Sequence, residues 1–94
     1  MRFHWSREAG RDRDEIFSFI AIENFAAAVT NDEKISAIED QLSHFPQSGR
    51  AGRVAGTREW VITGTAFLAI YSTAGDQLTV LRVIHGAQSW PPER

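Results

Sequence analysis

The sequence contains no cysteine, which excludes a disulfide framework and a thiolate metal site. It also lacks a long apolar run. The opening MRFHWSREAGRDRDE carries charge where a signal peptide needs about 7–15 apolar residues, and no stretch approaches the roughly 18 needed to cross a bilayer. We therefore expect a cytoplasmic protein with no membrane partner, no metal and no cofactor.

The chain is short, at 94 residues, with an ordinary globular composition of 43% hydrophobic and 23% charged residues. This length leaves no room for a second core, so we expect a single domain over residues 1–94. A chain of this size buries only about 60% of its unfolded surface, which makes it marginally stable alone. A binding partner would add stability.

The charge is distributed unevenly between the two halves. Residues 1–47 contain five Lys/Arg and nine Asp/Glu, a balance of −4, whereas residues 48–94 contain five Lys/Arg and three Asp/Glu, a balance of +2. There is no lysine after Lys34, so all five basic residues of the second half are arginines. Arginine suits bidentate recognition of phosphate or carboxylate, and the second half is therefore where we expect an anionic partner to bind.

The first half predicts a short strand and a helical hairpin. Arg2 to Trp5 alternates polar and apolar residues, Ser6 offers an N-cap, and the pattern from Arg7 to Glu23 is helical. Asn24 is a turn residue and cap. A second helical pattern runs on to Pro46, either continuous or restarted by a capping box at Thr30 and Glu33; its apolar positions are Ile35, Ile38, Leu42 and Phe45.

The second half changes to a period of two and predicts three strands. They are VAGTREWVIT, AFLAIYS and QLTVLRVIHG, separated by short turns. Strands joined in this way pair as an antiparallel meander, with the first strand of the chain added at an edge. The expected fold is therefore α+β in the order β-α-α-β-β-β, with the helical hairpin packed on one face of a small twisted antiparallel sheet and the other face open.

Four segments together resemble the RelE/ParE superfamily of bacterial toxins from type II toxin–antitoxin systems. They are FHWSREAGRDRDEIFSFI, HFPQSGRAGRVAGTREWVI, AFLAIY and VLRVIHGAQSWP. The resemblance covers nearly the whole chain, and it rests on the order and spacing of the segments, since each alone is weak. It implies a small toxin neutralised by a cognate antitoxin whose chain wraps around it. We expect an extended or helical segment of that antitoxin to lie over the helical hairpin and the arginine-bearing face of the sheet, where it buries apolar residues that a small domain cannot cover alone.

The resemblance leaves the target open. Members similar to RelE cleave messenger RNA on the ribosome, whereas members similar to ParE inhibit DNA gyrase without an enzymatic step. A degenerate toxin that acts only as a protein-interaction module is a third alternative. Ribosome-dependent nucleases are usually strongly basic, while this chain has a net charge of −2, so the charge weighs against a nuclease.

His85 and Arg82, at the end of the last predicted strand, are the candidate catalytic residues of a nuclease. A histidine can move a proton at a ribose 2′-hydroxyl, and an arginine can neutralise the scissile phosphate; such a cut needs no metal. The alternatives are structural: His85 bonded to the backbone, and Arg82 in an ion pair for which Glu59 is the candidate partner across the sheet.

Arg50, Arg53 and Arg58 form a basic cluster interleaved with glycines, suited to a phosphate backbone or to an acidic antitoxin segment.

Trp90 either stacks on a base or pins the tail to the body, and the prolines after it favour pinning. Gln88 stands beside it as a further binding candidate, where many relatives with this ending carry arginine. Tyr71 and Trp60, inside strands, are expected to pack in the sheet.

Overall fold

The structure, a computed structural model, describes residues 1–92, and in this range three helices follow a first strand. The strand is β1 (Arg2–Trp5) and the helix after it is α1 (Arg7–Ala21). The Ser6 hydroxyl accepts a hydrogen bond from the Ala9 amide at 3.0 Å, as its position before the helix predicts.

The second predicted helix is two helices, α2 (Phe25–Ser36) and α3 (Ile38–His44). Asn24 caps α2 by accepting a hydrogen bond from the Ala27 amide. The break lies at Ala37, so the restart predicted at Thr30 is wrong and Thr30 lies inside α2. Ala37 is neither glycine nor proline, and therefore the sequence offers no local signal for the break. The apolar stripe continues across it because Ile35, Ile38 and Leu42 all enter the core.

The second half forms β2 (Arg50–Ala51), β3 (Arg58–Val61), β4 (Phe67–Ala74) and β5 (Gln77–His85). The sheet order is β1-β5-β4-β3-β2, and neighbouring strands from β2 to β5 are antiparallel, as the meander predicts. β1 joins at an edge but runs parallel to β5, so the sheet is mixed rather than wholly antiparallel.

The strand predicted from residue 54 begins later, at Arg58. The segment before it turns instead, because Gly56 takes a φ of 83° and both the amide and the hydroxyl of Thr57 donate to the Val54 carbonyl.

The main core lies between the helices and one face of the sheet. Ala9, Ile35, Ile38 and Leu42 pack there against almost fully buried residues in the sheet or directly after β3: Ile62, Ala69, Tyr71, Leu78, Val80 and Val83. A second cluster of Leu68, Ile70 and Ile84 lies on the opposite face, which we call the outer face. Trp90 packs against this cluster, so the outer face is partly covered rather than open.

Candidate functional site

Arg82 lies at the edge of β5, in an ion pair with Asp12 of α1. Its Nε and one terminal nitrogen donate to the two carboxylate oxygens at 2.7 and 3.1 Å, and the Val83 amide donates to the same carboxylate at 2.9 Å. The partner is therefore Asp12, and the predicted pairing with Glu59 is wrong. The hydrogen bond to Asp12 raises the pKa of Arg82 above its ordinary value, which keeps the guanidinium charged.

The start of α1 explains why Asp12 reaches this edge. β1 pairs with β5 from Gln77 to Val80, so within residues 1–92 the backbone of β5 beyond that point has no partner strand on this side. The Ser6 hydroxyl donates to the Leu81 carbonyl at 2.9 Å, which places the first turns of α1 beside the unpaired stretch. The Asp12 carboxylate accepts a hydrogen bond from the Val83 amide, which a neighbouring strand would otherwise accept.

His85 is exposed and lies just past the same edge. Its Nδ1 accepts a hydrogen bond from the Ala87 amide at 3.0 Å, and its ring meets Phe67 edge-on with centroids 5.6 Å apart. A shallow pocket of about 150 Å³ brings His85 and Arg82 together. Two carboxylates lie in the same pocket, whose lining is Asp12, Glu15, Ile16, Phe67, Arg82, Val83, His85 and Gln88.

Arg50 and Arg53 converge on Glu59, the one buried charged residue among residues 1–92. A terminal nitrogen of Arg50 lies 2.9 Å from Oε1 of Glu59, Nε of Arg53 lies 3.5 Å from it, and the Arg53 amide donates to Oε2 at 3.0 Å. Burial raises the pKa of Glu59, but the Arg53 amide and the two guanidinium groups outweigh it, so the pKa lies below its ordinary value. The arginine side chains themselves are 61% and 44% exposed.

Arg58, the third arginine of the cluster, binds the backbone of the loop before β2. Its guanidinium donates to the carbonyl oxygens of Gly49 at 2.8 Å and of Gln47 at 3.4 Å. Tyr71 fastens the same loop, since its hydroxyl donates to the Pro46 carbonyl and accepts from the Gly49 amide. Burial raises the pKa of Tyr71, whose side chain packs in the core as predicted.

Trp90 holds the C-terminal tail against the outer face. Its carbonyl accepts from Arg53 at 3.4 Å, and the Arg82 guanidinium lies 5.6 Å from the centre of its ring. This arrangement agrees with the pinning interpretation. Gln88 is exposed and lines the His85 pocket.

A patch of exposed apolar side chains lies where α1 meets α2. Phe19 is 78% exposed, Ile22 82%, Phe25 66% and Val29 37%; we call these four residues the hairpin patch. Phe25 rests edge-on against Phe17 with ring centroids 5.6 Å apart, so part of the patch is anchored to α1. Large apolar side chains exposed around one turn of the chain mark a candidate interaction surface.

In the described part of the chain no three His, Asp or Glu residues are placed to hold a metal ion. None of its helices has the length and apolar character to span a bilayer.

Comparison with known proteins matches residues 3–90 to the family described as the ParE toxin of the type II toxin–antitoxin system parDE. The chain belongs to the ParE toxin family. "Putative toxin Y4kP" of Sinorhizobium fredii is 34% identical over 90 residues, covering 96% of this chain and 93% of that protein.

A solved structure titled "Chromosomal ParDE TA system from P. aeruginosa" has the same fold. Its TM-score is 0.77 at 23% identity, and the match covers 90% of this chain and 95% of that one. Membership of the ParE toxin family makes this chain a toxin of a type II toxin–antitoxin system and implies a cognate antitoxin.

Two parts of this ParE-family toxin escape sequence reasoning. Asp12 looks like any charged residue of a solvated helix face, and no signal distinguishes it from Asp14. The hairpin patch had a weak signal, because Phe19, Ile22 and Phe25 add large apolar side chains near the end of the first predicted helix to those of Ile16 and Ile20, which lie four apart on one face.

Proposed function

We propose that this toxin inhibits DNA gyrase in the cytosol without cutting RNA, and that a cognate antitoxin neutralises it by covering the hairpin patch. The match to the ParE family supports the choice of gyrase, because toxins similar to ParE inhibit this enzyme. The observation that carries the choice between mechanisms is the ion pair of Arg82 with Asp12, because it occupies the cation that a nuclease would need for the scissile phosphate.

The other polar groups support the same conclusion. The Tyr71 hydroxyl is bound to backbone groups inside the protein and is unavailable to a substrate. The His85 pocket contains two carboxylates against one guanidinium, a balance that repels a phosphate backbone. His85 and Arg82 as catalytic residues therefore stay a prediction with the weaker support.

Messenger-RNA cleavage is the second candidate, and the exposed imidazole of His85 beside Arg82 favours it. The two candidate functions predict different results for the variant His85→Ala. A nuclease loses its activity in His85→Ala, whereas a gyrase inhibitor keeps it unless this side chain touches gyrase.

The hairpin patch favours an antitoxin segment of defined chemistry. Its apolar side chains project from two helices, which suits an amphipathic helix or an extended apolar segment laid across them. Acidic residues surround the patch along the helices, one turn before Phe19, in the connecting turn and one turn after Val29: Glu15, Glu23 and Glu33. We therefore expect lysine or arginine to flank the apolar residues of the antitoxin segment.

The mechanism is tested with purified toxin in two assays run side by side. We expect it to block supercoiling by gyrase while messenger on translating ribosomes stays intact in a primer-extension assay. Addition of the antitoxin should restore supercoiling. Toxin-dependent cuts in ribosome-bound messenger that disappear in His85→Ala would overturn the proposal in favour of the nuclease. Normal growth on expression without antitoxin, together with inactivity in both assays, would indicate a degenerate toxin.

A further inference from the structure

The pocket beside β5 combines the groups that usually attract a phosphate with groups that repel it. Arg82 and His85 lie in its lining together with Asp12 and Glu15. Asp12 uses both of its oxygens on Arg82, in the paired geometry that a phosphate oxygen pair would otherwise take. An incoming phosphate must therefore displace a carboxylate that the protein already holds in place through the Val83 amide.

Glu15 adds charge to the same pocket without a structural role of its own. It follows Asp12 by three positions on α1, so both side chains project toward the β5 edge. Within residues 1–92 its carboxylate makes no hydrogen bond or ion pair with another side chain, and it is exposed. Its negative charge therefore acts on any ligand that approaches Arg82.

We propose that Asp12 and Glu15 are specificity-determining residues that exclude polyanions, RNA above all, from the Arg82–His85 pocket. Asp12 acts through Arg82 as a positioning residue, and Glu15 acts directly by repulsion. This inference rests on the proposed function, because a toxin whose target is a protein gains from refusing the abundant RNA of the cell.

The test measures binding of the full-length toxin to a fluorescein-labelled single-stranded RNA by anisotropy, at low and at moderate salt. Asp12→Asn keeps one oxygen for the Val83 amide but no longer neutralises Arg82. We expect it to bind the RNA about tenfold more tightly than the wild type, the gain of one charge-assisted contact. The slope of log Kd against log salt should steepen by about 0.7, as for one added phosphate contact on a single strand.

Asp14→Asn is the matched control. It makes the same change of charge two positions further along α1, on roughly the opposite side of the helix, at a residue that lines a different cavity with Trp5 and Arg13. It should leave RNA binding within about twofold of the wild type, since a screened surface charge contributes little. Adding Arg82→Gln to Asp12→Asn should abolish the gain, which a general change of net charge would not predict.

Glu15→Gln provides a second test if the Asp12 variant does not fold, because the Glu15 carboxylate makes no hydrogen bond or ion pair with another side chain of residues 1–92. We expect about threefold tighter binding from it, a rim-charge effect. Equal RNA affinity for Asp12→Asn and Asp14→Asn, or a gain that persists without Arg82, would overturn the inference. An Asp12 variant that unfolds leaves the decision to Glu15→Gln, and no gain there over Asp14→Asn also overturns it.

Failure of the proposed function looks different. In that case the wild-type toxin cuts ribosome-bound messenger or fails to block supercoiling by gyrase, whatever the ranking of the variants in RNA binding. Success of both requires blocked supercoiling and an intact messenger with the wild type, together with an Arg82-dependent gain in RNA affinity with Asp12→Asn.

Discussion

The outer face of the sheet and the hairpin patch differ in whether their side chains already have partners within the protein. Arg50, Arg53 and Arg82 reach internal carboxylates at hydrogen-bond distance. The side chains of Phe19 and Ile22, in contrast, are about four-fifths exposed to solvent. An arginine that already holds a carboxylate has less to offer a partner than an apolar side chain left in water, so charge alone is a weak guide to the binding surface.

The largest expected effect is on stability, at the β5 edge. Asp12→Ala removes three hydrogen bonds and leaves both the Arg82 guanidinium and the Val83 amide without their partner. We expect it to lower the free energy of unfolding by about 2–4 kcal/mol. Urea denaturation measures this loss. A loss below about 0.5 kcal/mol, typical of a neutral surface change, would contradict the view that Arg82 is satisfied internally.

The hairpin patch should show the opposite behaviour, with a loss of binding and no loss of stability. Phe19→Ala and Ile22→Ala together should weaken antitoxin binding roughly 30-fold or more, as for an interface hot spot of about 2 kcal/mol. Calorimetry with the purified antitoxin measures this loss. Thermal unfolding of the toxin alone should hardly change, because both side chains are largely exposed.

Phe45→Ala is the control for the patch, since Phe45 is also exposed, at 63%, but lies after α3. It should leave antitoxin affinity nearly unchanged. Equal losses from the two sites would show that the antitoxin does not select the hairpin patch.

Glu59→Gln should have a smaller effect that depends on pH. We expect a loss of about 1–2 kcal/mol at neutral pH, because the amide keeps the shape of the side chain but weakens its bonds to Arg50 and to the Arg53 amide. The pKa of Glu59 is lower in the folded protein than its ordinary value of 4.5, so the unfolded chain binds the proton first. Its contribution is therefore complete above that value and disappears as the pH falls through the folded pKa.

Denaturation at a series of acidic pH values measures the second part of this prediction. The wild type should lose stability below about pH 4.5 more steeply than Glu59→Gln, and the two curves should converge in acid. Curves that stay parallel through that range would mean that the carboxylate contributes no charge-dependent stability.

The smallest effects are expected from the arginines themselves. Arg50→Ala and Arg53→Ala should each cost less than about 1 kcal/mol, because their side chains are half exposed and water can replace much of each contact. In a Glu59→Gln background both costs should shrink further, as a double-mutant cycle by urea denaturation would reveal. An unchanged cost there would show that the arginines act elsewhere, for example through the Trp90 carbonyl.

The sequence predicts the elements of the fold well, because caps and periodicity are local. Ser6 and Asn24 cap the helices they were expected to cap, and the apolar spacing of Ile35, Ile38 and Leu42 identifies the core side of the hairpin. The parallel pairing of β1 was not predicted, since nothing in four alternating residues states the direction of the partner strand.

The sequence identified candidate residues of the site but not the contacts that these residues make. Asp12 and Arg82 are 70 positions apart and meet because α1 crosses the edge of β5, which only the packed structure reveals. The sequence also could not tell that Glu59 is buried, because the groups that satisfy its carboxylate, Arg50 and the Arg53 amide, reach it only in the folded chain. The sequence thus identified residues of suitable chemistry. It did not reveal which of them are already paired within the protein, and this pairing decides what they can bind.

The pairing of β1 with β5 has a consequence for synthesis of the toxin. Ser6 reaches across 75 positions to bond to Leu81, so the first strand and the start of α1 find their place only when the last strand is present. A nascent chain emerging from the ribosome holds β1 and the hairpin long before it holds β5, and pairings this distant along the chain form slowly. On the proposed function we therefore expect a newly made antitoxin to reach the hairpin patch before the sheet closes, so that neutralisation begins on the unfinished chain.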